Sequence, residues 1–186
     1  YIFIRSGTIW AQQAKLTASD GADFEGYGSS VALDADTALV GAPYHDVGAK
    51  KQQGAAYIFV KPVSGWANMT QTAELTSGIM GVQNDYFGSS VALSGDTALV
   101  GAIGSDGAFT DQGAAYLFKK LGSTWFSMAF YSAKLTAVDG AAGDELGSSV
   151  ALSSDTALVG AHLDDVGANP DQGSVHFYQA YRDTEL

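Results

Sequence analysis

The chain has 186 residues with 46% hydrophobic and 16% charged side chains and 23 glycines, a globular but turn-rich composition for one or two domains. Nine basic residues against 20 acidic ones give a net charge of −11, the wrong sign for nucleic acid or an anionic membrane surface, both of which select a basic face. No apolar run approaches the roughly 18–20 residues that cross a bilayer, so membrane insertion is not expected, and zero cysteines exclude disulfides, thiolate metal sites and Cys nucleophiles.

Predicted elements follow a repeat of about sixty residues, and a fixed period decides architecture before any single residue does. Residues 1–17, with Tyr1-Ile2-Phe3, Trp10 and Ala14-Lys15-Leu16-Thr17, read as the end of one unit. Residues 18–76 form the next. Its first strand carries Gly28-Ser29-Ser30-Val31-Ala32-Leu33, the short turn Asp34-Ala35-Asp36 makes a tight hairpin, and the second strand carries Thr37-Ala38-Leu39-Val40-Gly41-Ala42. A third strand spans Ala56 to Val60, rich in aromatic and β-branched residues, and a fourth is expected from Trp66 to Leu75-Thr76. Residues 77–136 repeat this, with Gly88 to Leu93, Thr97 to Ala102, Gln112-Gly113-Ala114-Ala115-Tyr116, Trp125 and Ala133-Lys134-Leu135-Thr136. Residues 137–186 repeat it incompletely: Gly147 to Leu152, Thr156 to Ala161 and Gln172-Gly173-Ser174-Val175-His176 are present, but no tryptophan strand follows. Start-to-start spacings of the Gly-Ser-Ser motif are 60 and 59 residues. No apolar 3.6 period runs over ten residues, so helices are expected to be short or absent.

The first and second strands lack a polar face, as strands covered on both sides do. Small residues at Gly41, Ala42 and Ser30 permit close approach. Together these features predict an all-β protein of four-stranded antiparallel blades of a β-propeller, incomplete as a single chain of this length, since closure takes about four to eight blades. A linear array of sheets is the alternative with this period.

In these units the sequence resembles the FG-GAP repeat, the blade motif of integrin-α-type propellers. Phe87-Gly88 and Gly41-Ala42-Pro43 carry the motif in strict form; Tyr27-Gly28, Leu146-Gly147, Gly101-Ala102-Ile103 and Gly160-Ala161-His162 replace it elsewhere. The resemblance implies an extracellular or cell-surface scaffold or recognition module. It also implies a calcium loop between the first two strands, but three-residue turns such as Asp34-Ala35-Asp36 cannot supply six or more ligands. Asp36, Asp96 and Asp155 are therefore expected to be turn residues whose carboxylates accept backbone hydrogen bonds.

Thirteen of the 20 acidic residues fall in connections that antiparallel topology sends to one end. They are Asp20, Asp23, Glu25, Asp85, Asp139, Asp144 and Glu145 between units, and Asp46, Asp106, Asp111, Asp164, Asp165 and Asp171 between the second and third strands. Acidic loops keep a surface protein soluble. They are also candidates for Ca²⁺, with Asp139, Asp144, Asp164, Asp165 and Asp171 the best placed across glycine-permitted bends.

Catalysis needs a nucleophile and base, or a proton-transfer pair, within reach. The three histidines, His45, His162 and His176, occupy three different repeat positions, and Ser29 and Ser30 recur in every unit, which favours packing. Trp66 and Trp125 recur in register and are expected to be buried. The sequence thus reads as a non-enzymatic extracellular structural or adhesive module that joins further repeats or copies of itself. Rival readings are a carbohydrate-binding propeller lectin, with a glycan in place of a protein ligand, and an accessory domain of a secreted hydrolase. Tyr1 is not an initiator methionine, and a processed or excised piece is expected.

Overall fold

The computed structural model describes residues 1–179. Strands β1 (Ile2–Ser6) and β2 (Ile9–Ala14) form a hairpin. The first complete blade contains β4 (Ser30–Asp34), β5 (Thr37–Ala42), β6 (Ala55–Val60) and β8 (Ala73–Leu75), antiparallel and in that order. The second contains β9 (Phe87–Ser94), β10 (Thr97–Ala102), β11 (Ala114–Lys119) and β12 (Ala133–Leu135) in the same order. A third sheet joins β13 (Leu146–Ser153), β14 (Thr156–Ala161) and β15 (Ser174–Gln179). Two short strands remain, β3 (Leu16–Thr17) and β7 (Met69–Thr70), which pair in parallel. Among the described residues the helical content is one 3₁₀ turn, Gly78–Met80.

The sheets stack face to face, which explains strands that are apolar on both sides. Successive side chains of a strand point to opposite faces. Ala38 and Val40 of β5 therefore enter a core with Ala14, Leu16, Tyr57, Phe59 and Trp66. Leu39 faces the other way, into a core with Ile58, Leu75, Phe87, Val100, Phe118 and Trp125. Leu99 of β10 in turn packs, with Ala115 of its own sheet, against Leu146 and Val159 of the next. Each blade interface is thus a separate small core.

The repeated small residues lie where blades meet backbone to backbone. A Cβ on Gly41 would stand 2.1 Å from the Gly88 carbonyl oxygen, and one on Gly101 equally close to that of Gly147. The Ser30 and Ser90 hydroxyls donate to those same carbonyls at 2.8 and 2.7 Å. This gives the recurring serine the packing role expected of it. Gly54 combines φ +84 with a backbone contact to Phe87, so both conformation and space require glycine there.

The fourth strand is shorter than expected. It covers Ala73–Leu75 or Ala133–Leu135 alone, while Trp66 and Trp125 lie in the loops that precede it. Those loops cross to the outer edge of the preceding blade. Lys15 N–H donates to Asn68 Oδ1, Met69 N–H to the Lys15 carbonyl, and Met128 N–H to the Glu74 carbonyl. Crossing satisfies an edge strand that would otherwise expose unpaired backbone groups, and it takes these residues out of their own sheet. Both indoles are buried, whereas Trp10, on β2, is 64% exposed.

At the hairpin end, the expectation for the turn carboxylates needs correction. Asp36 and Asp96 pair with the ammonium groups of Lys61 and Lys120, and Asp155 Oδ1 accepts the Thr156 hydroxyl. Asp34 does accept a backbone N–H, from Gly95 of the next blade at 2.6 Å. The lysines that follow β6 and β11 come alongside these hairpins, and an ammonium outcompetes a neutral amide for the carboxylate.

Candidate functional site

The opposite end gathers the connections between units and those between second and third strands. Two acids recur here in every unit, each closing its own loop. Asp46, Asp106 and Asp165 accept the backbone N–H of Gln52, Asp111 and Asp171, residues held at φ of 54, 51 and 51. Glu25, Asp85 and Asp144 are buried and accept the N–H of Ala22, Val82 and Ala141, three residues upstream. Burial pushes the Asp85 carboxyl above its ordinary range, against the hydrogen bonds from Val82 and Ser77 that favour its charged form.

Of the five residues predicted to hold calcium, Asp144, Asp165 and Asp171 belong to these loop closures. Asp139 and Asp165 are exposed and Asp164 half-buried, its carbonyl accepting the Gly173 N–H. Among the described residues, the carboxylate and imidazole atoms that converge as a group of three belong to Asp20, His45 and Glu74, all within 4.8 Å of one another.

His45 sits in the connection after β5 and Glu74 in the middle of β8, opposite Tyr57 of β6. The His45 ring is buried, with Nδ1 2.8 Å from Glu25 Oε1. Its Nε2 lies 3.9 Å from Asp20 Oδ2 and 4.0 Å from Glu74 Oε1. The Tyr57 ring packs edge-on against the imidazole. Its hydroxyl is buried and makes no hydrogen bond of good geometry, and burial, reinforced by the charges of Asp20, Glu74 and Glu25 and by the approach of the Asp20 carboxylate, pushes its pKa far up. Glu74 is itself raised, first by burial and then by Asp20.

The second blade builds the same place differently. The Tyr57–Glu74 cross-strand pair becomes Tyr116–Lys134, and Ser105 replaces His45, each carbonyl accepting the N–H of the repeat's conserved-register glycine, Gly113 or Gly54. Lys134 Nζ donates to Ser105 Oγ and to the Asp106 carbonyl, both at 3.1 Å, and lies 5.5 Å from the Tyr116 ring centroid. The Tyr116 hydroxyl pairs with Ser105 at 2.9 Å. An ammonium occupies the second unit where the first presents carboxylates. Dismissing the histidines because each held a different repeat position missed this cluster; the signal was Glu74 standing where the other units have Lys15 and Lys134.

Stacked four-stranded antiparallel sheets with a core in each interface define an all-β repeat protein built of propeller-type blades. The FG-GAP repeat profile matches residues 10–59, 69–118 and 131–178, and the chain belongs to the FG-GAP repeat family. Each match ends in a third strand, β6, β11 or β15, so the sequence repeat and the structural blade are offset by one strand. No curated protein matches the chain. Among solved structures, the crystal structure of the computationally designed Ika4 protein is 12% identical, covering 91% of this chain and 98% of that one with a TM-score of 0.40.

Proposed function

We infer that the chain is a non-enzymatic structural or adhesive module of an extracellular or cell-surface protein, and that a further FG-GAP blade covers the open face of the β13–β15 sheet. One observation carries this reading. Leu39 and Ile58, fully buried between the first and second blades, correspond to Leu158 and Phe177, which are 42% and 62% exposed. The same side chains are core in one unit and surface in another. Gly160 agrees: among the described residues the backbone contact made at Gly41 and Gly101 has no counterpart there, the nearest atoms being those of Ser149.

The opposite face supports the reading from the other side. Val31 is 69% exposed, while its equivalent Val91 packs against the core between blades. An open groove of about 800 Å³ lies there, lined by residues including Ile2, Leu16, Tyr27, Val31 and Leu33. The inner strands of a preceding blade would fill it. Family membership favours a surface location, and burial of Trp66 and Trp125 removes the repeated indoles as a sugar-stacking platform.

Concentration-dependent thermal unfolding tests the proposal. Fully burying a Leu or Phe side chain is worth about 1.5–3 kcal/mol, so association through this face raises the midpoint as protein concentration rises. A Leu158→Glu/Phe177→Glu variant is expected to unfold at a concentration-independent midpoint. A wild-type midpoint that ignores concentration would remove self-association from the reading.

A further inference from the structure

We propose that Asp20, His45 and Glu74 bind one divalent transition-metal cation of zinc type, with Glu25 orienting the imidazole. Glu25 accepts from Nδ1 through Oε1 and from the Ala22 N–H through Oε2, both at 2.8 Å. A carboxylate can only accept, so Nδ1 carries a proton, and Nε2 is the nitrogen left to ligate a metal. Nε2 faces two carboxylate oxygens at 3.9 and 4.0 Å, so that three potential ligand atoms converge on one point. A carboxylate holding one nitrogen of a histidine while the other ligates metal is the usual outer-shell pattern of such sites.

Tyr57 points to a ligand independently. Its hydroxyl is buried and makes no hydrogen bond of good geometry, Asp20 being the carboxylate that comes within its reach, and a buried hydroxyl without a well-formed partner is unfavourable. The second unit shows what the place needs. There the tyrosine hydroxyl is paired with Ser105 and the Lys134 ammonium supplies the positive charge. In the first unit Glu74 has taken the position of that lysine, and a bound cation would supply the charge that Lys134 supplies in the second. A water on the cation's open position would give the Tyr57 hydroxyl a well-formed partner.

The donor set selects the metal. Calcium takes six to eight oxygens, whereas one imidazole and two carboxylates with an open fourth position suit zinc and its neighbours. Tetrahedral bonds of about 2.0–2.1 Å put donor atoms roughly 3.3 Å apart, so the three groups need close in by only about an ångström. Asp20 and Glu74 have room to do this, with side chains 40% and 28% exposed, while His45 is held by its burial.

The test titrates the chelator-treated full chain with Zn²⁺ and with Ca²⁺ by calorimetry, and with Co²⁺ by visible absorption. Glu74→Lys recreates the chemistry of the second blade, and His45→Ser with Glu74→Lys recreates it fully. Both variants remove the metal site while retaining a folded alternative that the protein already uses, verified by circular dichroism and thermal midpoint. Wild type is expected to bind one Zn²⁺, to show cobalt ligand-field bands and to discriminate against Ca²⁺. Glu74→Lys is expected to fold and to bind at least about 100-fold more weakly. Equal Zn²⁺ binding by the folded Glu74→Lys variant, equal affinity for Ca²⁺, or no binding by wild type at millimolar Zn²⁺ would overturn the assignment.

Discussion

The same residue type meets different surroundings along this chain, and its energetic weight follows the surroundings. Trp125 and Trp66 fill blade cores while Trp10 lies open. Trp125→Ala should therefore cost about 3–5 kcal/mol in chemical denaturation, and Trp10→Ala should stay within about 0.5 kcal/mol. Equal losses would contradict these placements. Asp85 gives a pH prediction. Its folded-state pKa is raised by burial, so the native state holds the proton more tightly than the unfolded chain, and this group's contribution to stability falls as pH rises through the window just above the ordinary carboxylate range. Asp85→Asn keeps an acceptor for the Val82 N–H and should flatten that part of the stability profile, leaving the similar slope due to Glu74. An unchanged slope would assign the effect elsewhere. At this scale the sequence showed which acids lie at one end, but not their partners. Repetition concealed the His45 cluster because its members come from a loop before the first blade, a loop within it and a strand at its edge.

At the scale of elements, the hairpins between first and second strands were legible because two short apolar runs bracket a short polar turn. The fourth strand was not, since the stretch from Trp66 to Leu75 divides between packing in its own core and crossing to β3 of the preceding unit. Composition alone does not reveal which sheet a segment joins. Gly101 and Gly160 offer a paired test of blade stacking. A methyl on Gly101 meets the Gly147 backbone at 2.1 Å, whereas on Gly160 it meets the Ser149 hydroxyl at 2.4 Å, a side chain able to rotate away. Gly101→Ala should force the second and third sheets apart and lower the thermal midpoint by several degrees, corresponding to about 1–3 kcal/mol. Gly160→Ala should be mild in dilute monomer and should weaken association through that face. Equal effects of the two substitutions on the dilute protein would argue against close stacking at Gly101.

Across the whole molecule, the repeat announced its own architecture, because strands apolar on both faces can only be interior layers of a stack. What the period leaves undetermined is how the stack ends. In the structure it ends with Val31 on one side and Leu158 and Phe177 on the other, each exposed at a position whose repeat equivalent is covered. A heterologous contact between such faces closes into a ring or grows as a filament according to the rotation per step. Sedimentation equilibrium of the described chain over a wide concentration range tests this central claim most directly. The account predicts a mass that rises with concentration for wild type and stays monomeric for Leu158→Glu/Phe177→Glu; a stable wild-type monomer at every concentration, with no partner, would contradict it.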